Sequence, residues 1–78
     1  MTDLQARILD YIEMFRNRKG FPPTRREIGI RFGKSTSVIN FNLFQMQRGG
    51  WIELSPGKAR GIRIVKRPVE VSSPAEAA

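Results

Sequence analysis

Two arginines in the first turn of a helix invite a negatively charged partner. In "FPPTRREIG", residues 21–29, two prolines stop the chain, and Thr24 is followed three residues later by Glu27. That spacing is a capping box, so a helix starts at Arg25. The N-terminal end of a helix already carries partial positive charge, and Arg25 and Arg26 gain little from it. They gain from an anion that meets the helix start, and a phosphate suits that place.

The rest of the inventory narrows the chemistry. The chain has no histidine and no cysteine. That removes disulfides, thiolate and imidazole metal sites, and most routes to nucleophilic catalysis. No glycine-rich phosphate loop and no paired carboxylates replace them. We therefore expect no enzyme, no catalytic residue, no metal and no cofactor. Fourteen Lys and Arg face seven Asp and Glu, a net charge of +7 over 78 residues. The tail from Pro68 onward holds Glu70 and Glu76 and no base, so the positive excess sits before it. A small domain this basic points to nucleic acid, or less often to an anionic membrane. No apolar run approaches a membrane span and no signal peptide precedes the first charges. The expectation is a soluble cytoplasmic protein associated with the nucleoid, with no membrane partner.

The elements that must position these groups follow from periodicity. Leu4, Ile8, Ile12 and Phe15 recur at helical spacing with Tyr11 beside them, opposite Asp10, Glu13, Arg16 and Arg18. This predicts an amphipathic helix from Leu4 to Lys19, closed by Gly20. A second helix runs from Arg25 to Phe32, with Ile28 and Phe32 inward and Gly33 at its end. A third runs from Thr36 to Arg48, capped by Ser35 and ended by Gly49-Gly50. "WIEL" and "GIRIV" then alternate apolar and polar residues around the turn-forming "SPGKAR". That predicts a hairpin over 51–54 and 61–65. Trp51 and Ile52 are expected to pack on helix one, and Gly29 to face helix three. Residues 67–78, rich in Pro, Ser, Ala and Glu, are expected as a flexible tail or linker. Three helices and a hairpin, with a short turn at Gly33 between helices two and three, make an α+β, mainly α, winged helix-turn-helix over residues 1–66.

"FPPTRREIG" with "RFG", then "STSVINFNL", "GGWIEL" and "RGIRIV", resembles the N-terminal DNA-binding domain of LexA-type SOS repressors of bacteria and phages. The match covers about residues 4 to 65, and several motifs in the right order carry it. It implies a sequence-specific repressor that binds duplex DNA. It also implies two copies on an inverted-repeat operator, with weak or no self-association off DNA. Three departures stand out. The turn between helices two and three is one residue shorter than in most members. Helix three is unusually apolar. The family continues into a self-cleaving domain with a Ser-Lys pair, so this chain is expected to be an isolated domain or a short relative.

On helix three, at about 100° per residue, Ile39, Leu43 and Met46 form one stripe, and Ser37, Phe41, Phe44 and Arg48 lie opposite. A recognition helix enters the major groove by its N-terminal half. That selects Ser35, Ser37, Val38, Asn40 and Phe41 as base-facing, and the resemblance implies the same set. Asn40 can pair bidentately with adenine, whereas Phe41 and Val38 offer only apolar contact, best suited to a thymine methyl. Thr24, Arg25 and Arg26 at the start of helix two are expected on the DNA backbone, with Lys34 and Arg48. Lys58 and Arg60 at the wing tip and Arg63 on the returning strand complete that set. The competing expectation is a protein-interaction module that binds a repressor, polymerase or nuclease through Phe41 and Phe44. RNA binding lacks stacking aromatics on a sheet face.

Overall fold

A computed structural model describes residues 1–66. The tail expected over 67–78 lies outside the described residues. Helix α1 spans Asp3–Lys19, α2 Arg25–Phe32 and α3 Thr36–Arg48; strands β1, Ile52–Leu54, and β2, Ile62–Ile64, follow. The order is that of a winged helix-turn-helix, mainly helical with a small antiparallel sheet.

Helix α1 starts one residue before the expected Leu4. Thr2 caps it, accepting the Gln5 N–H at 3.1 Å while Gln5 Oε1 accepts the Thr2 N–H at 3.3 Å. This is a second capping box, with glutamine in the place of glutamate. Ile8 and Ile12 are fully buried, and so is Leu9, which the expected stripe omitted. The buried face of α1 is wider than one stripe because α2, α3 and β2 all contact it. Phe15 stands at its margin, half-buried, with its ring edge-on to Tyr11 at 5.8 Å and to Phe21 at 6.0 Å.

One core joins all the elements. Ile8, Leu9 and Ile12 meet Ile28 of α2, Ile39, Leu43 and Met46 of α3, and Ile52 and Ile62 of the hairpin. Full burial of such side chains contributes roughly 1.5–3 kcal/mol each, before conformational entropy is subtracted. The strands pair Ile52 with Ile64, Glu53 with Arg63 and Leu54 with Ile62. The apolar residues therefore share the inner face, and Glu53 and Arg63 the outer one.

Both strands are shorter than expected. Trp51 falls outside β1: its N–H closes α3 onto the Met46 carbonyl at 3.0 Å, while its carbonyl still accepts the Val65 N–H at 2.8 Å. Ile52 joins the core that α1 helps to build, as expected, and Trp51 packs at its edge; the closest approach of the strands to the helices is divided. Strand β1 contacts α3, and β2 is the strand that contacts α1. The Trp51 ring lies by Gly49, with the Lys66 ammonium 4.7 Å from its centroid.

Candidate nucleic-acid interface

The turn that sets α3 against α2 is only three residues long. Gly33 takes a left-handed conformation, φ 64°, and Lys34 donates its N–H back to the Gly29 carbonyl at 2.9 Å. With the Gly33 N–H on the Ile30 carbonyl, this is a Schellman motif. The fold-back needs room at Gly29, where a Cβ would stand 2.7 Å from the Lys34 carbonyl oxygen. Gly29 faces helix three as expected, its would-be Cβ lying 3.8 Å from Ile39 Cγ1, but its tightest neighbour is the turn before that helix. Ser35 then caps α3, its Oγ accepting the Val38 N–H at 3.2 Å.

The roll of α3 about its axis is set from below. Ile39, Leu43 and Met46 are fully buried, as the wheel predicted. A polar network beside them was not foreseen. Gln5 Nε2 donates to Asn42 Oδ1 at 3.1 Å and to Gln45 Oε1 at 3.0 Å, and Asn42 Nδ2 donates to the Val38 carbonyl at 2.8 Å. Buried amides are costly unless paired, so these bonds favour one register of α3 on α1. One signal was in the sequence. Asn42 lies three residues after Ile39 and four before Met46, on the same side of the helix.

That roll turns the other face outward. Ser35, Ser37, Val38, Asn40 and Phe41 are all exposed, Phe41 at 61% and Phe44, one turn on, at 52%. Arg25 at the start of α2, Asn40 and Phe44 of α3, and Leu54 of β1 line one open depression of about 330 Å³. The helix-two start, the outer face of α3 and the root of the wing thus adjoin one another.

The cations expected on the DNA backbone divide into two groups. Arg25, Arg26, Lys34, Arg48 and Lys58 take part in no ion pair among the described residues. Arg60 and Arg63 do. Arg60 was expected at the wing tip, free for a phosphate. Instead its Nη1 and Nη2 donate to the two carboxylate oxygens of Glu27 at 2.9 and 3.1 Å, and Nη1 also donates to the Pro22 carbonyl at 2.9 Å. The guanidinium lies 4.6 Å from the Phe21 ring centroid. Arg63 pairs with Glu53 across the strands, its Nε donating to Oε1 at 3.1 Å. Thr24 and Glu27 form the expected capping box, with the Glu27 N–H on Thr24 Oγ1 at 3.0 Å and the Thr24 N–H on Glu27 Oε1 at 2.8 Å. The hydrogen bonds from Arg60 and then from the Thr24 N–H hold the Glu27 carboxyl below the usual glutamate range.

Among the described residues no group of three or more His, Cys, Asp or Glu could hold a metal ion. No helix there is long and apolar enough to cross a membrane.

Residues 1–61 match the family model for the LexA DNA binding domain. LexA repressor 1 of Pseudomonas syringae pv. tomato is 44% identical over 78 residues, which is 95% of this chain and 39% of the relative. LexA repressors of Ralstonia pickettii and Oleidesulfovibrio alaskensis are 45% and 37% identical, over 82% and 87% of this chain and 30% and 33% of their own. The chain thus spans about a third of the length of these relatives.

Proposed function

The chain belongs to the LexA DNA-binding domain family, and we propose that it binds an inverted-repeat operator in duplex DNA as the DNA-reading part of a transcriptional repressor. It works by binding, with no catalytic step, in the cytoplasm beside the nucleoid. Helix α3 lies in the major groove, with Ser35, Ser37, Val38, Asn40 and Phe41 toward the bases. Asn40 pairs with an adenine, and Phe41 and Val38 touch a thymine methyl. Thr24, Arg25, Arg26, Lys34, Arg48 and Lys58 fix the register on backbone phosphates. Two copies bind the two halves of the operator, their centres about one helical turn apart, roughly 34–36 Å, or a multiple of it.

The observation that carries this reading is the juxtaposition at α3. Its exposed outer face bears an amide and three apolar side chains, and it is flanked by cations that no carboxylate among the described residues neutralises. The test is a mobility shift with duplex DNA at two salt concentrations. Each phosphate contact should add about −0.9 to the slope of log K against log salt. Affinity that does not change between low and moderate salt would overturn the proposal.

The exposure of Phe41 and Phe44 supports a second reading, in which the same face docks a protein. It predicts that Phe41→Ala abolishes a protein contact and leaves DNA binding intact.

A further inference from the structure

Glu27 poses an electrostatic problem. Its carboxylate folds back to accept the Thr24 N–H at 2.8 Å, so it lies at the positive end of α2. That is the end at which Arg25 and Arg26 would receive a DNA phosphate. Two anions at one helix end repel. The capping box itself does not require the charge, since glutamine closes it as well, as Gln5 does in α1. A glutamate here opposes DNA unless something cancels it.

We propose that Arg60 is that group: reaching from the wing to Glu27, it masks the carboxylate and so lets the start of α2 accept a phosphate. It acts on DNA as a positioning residue through Glu27 and is not itself a phosphate ligand. The inference rests on the DNA-binding reading above. Four residues surround the guanidinium. It faces both oxygens of Glu27, takes the Pro22 carbonyl as a third acceptor, and stacks on Phe21. The centroid of the Phe15 ring of α1 also lies 5.9 Å away, and the guanidinium's other partners all lie in residues 21–27, the approach to α2 and its first turn. The wing's other arginine pair, Arg63 with Glu53, lies on the outer face of the sheet and neutralises nothing at that helix end. The lowered titration range of Glu27 agrees, because the carboxylate stays charged and must be compensated at every pH where the domain would work.

The experiment compares the wild-type chain, Arg60→Ala, Glu27→Gln and the double variant. Binding to one mixed-sequence duplex is followed by fluorescence anisotropy at low salt, with thermal melting to verify folding. Arg60→Ala exposes the carboxylate and should weaken binding about tenfold, the scale of one uncompensated surface charge close to a phosphate. Glu27→Gln should bind at least as tightly as wild type. The double variant should return to within about threefold of wild type, because the repelling charge is gone. A double variant as weak as Arg60→Ala overturns the inference, since Arg60 would then act by touching DNA or by tethering the wing. So does an Arg60→Ala variant that binds like wild type. Should Arg60→Ala not fold, Arg60→Gln carries the same comparison. A wild-type chain that binds no duplex overturns the underlying reading instead.

Discussion

Helix three and the wing both bring basic side chains toward the expected DNA face, but they hold them differently. Around α3, Arg25, Arg26, Lys34 and Arg48 have no carboxylate partner among the described residues, while Arg60 and Arg63 at the wing are each paired with one. The apolar residues differ in the opposite sense. Val38, Phe41 and Phe44 of α3 are exposed, whereas Ile52 and Ile62 of the hairpin are buried. Helix three is thus held from below and left chemically open above, and of the wing's three cations only Lys58 has no carboxylate partner among the described residues. A net charge counts side chains. Affinity for a polyanion depends on how many of them remain uncompensated.

The largest effect that would sharpen this contrast is on sequence preference. Asn40→Ala should reduce discrimination between a selected operator and a mixed duplex by about 1–3 kcal/mol. Arg63→Ala should leave that ratio unchanged, because phosphate-side and strand-side residues carry no direct sequence information. If Asn40→Ala lowered specific and non-specific binding equally, α3 would not be the reader.

Salt dependence separates the two groups of cations. Lys58→Ala removes a charge at the wing tip that has no carboxylate partner among the described residues, and should reduce the steepness of log K against log salt by about 0.9. Arg63→Ala removes a charge that Glu53 already offsets, so the slope should hardly move. Equal slope changes in titrations of the two variants would erase the distinction drawn from the ion pairs.

Most of the architecture was legible because it is carried by local signals. The Thr24–Glu27 cap, the glycine after each helix and the change from helical to alternating period each announce an element within a few residues. So did the inner stripe of α3, which needs only helical spacing. What was not legible depends on which residues meet across the chain. The pairing of Gln5 with Asn42 spans 37 positions, and that of Arg60 with Glu27 spans 33. Nothing in either local stretch announces such a partner. Arg60 was therefore counted with the free cations, and Leu9 was missed because the number of elements contacting α1 is a tertiary fact. The outward set on α3 could be named, since what is not core on a short amphipathic helix faces out.

A smaller effect concerns Phe41. A phenyl ring in the groove has no hydrogen bond to offer and can touch only a thymine C5-methyl. Replacing each operator thymine by uracil removes that methyl alone. One position should lose about 0.8 kcal/mol, the order of one buried methyl-sized group, and should lose nothing further in Phe41→Ala. Operators indifferent to every uracil would move the exposed face of α3 toward the protein-docking reading.

The smallest expected effect lies at the wing's anchor and is read in stability. The Glu27 carboxyl titrates lower in the folded chain than in the unfolded one, chiefly through its hydrogen bonds from Arg60 and then the Thr24 N–H. A folded value below the unfolded one means that the unfolded chain binds the proton more readily. The stabilisation is therefore fully present above the unfolded glutamate range, about pH 4.3. It is lost as pH falls through the lower folded value. Glu27→Gln keeps the capping geometry and cannot titrate. The wild-type chain should accordingly melt slightly above Glu27→Gln at neutral pH, and the gap should close as pH falls below the folded value. The effect is modest because the pair is partly exposed and screened by solvent. Added salt should shrink the neutral-pH gap further. A gap that persists unchanged into acid would mean that the carboxylate's charge contributes nothing to the anchor. Arg60 would then be anchored by the Pro22 carbonyl and the Phe15 and Phe21 rings.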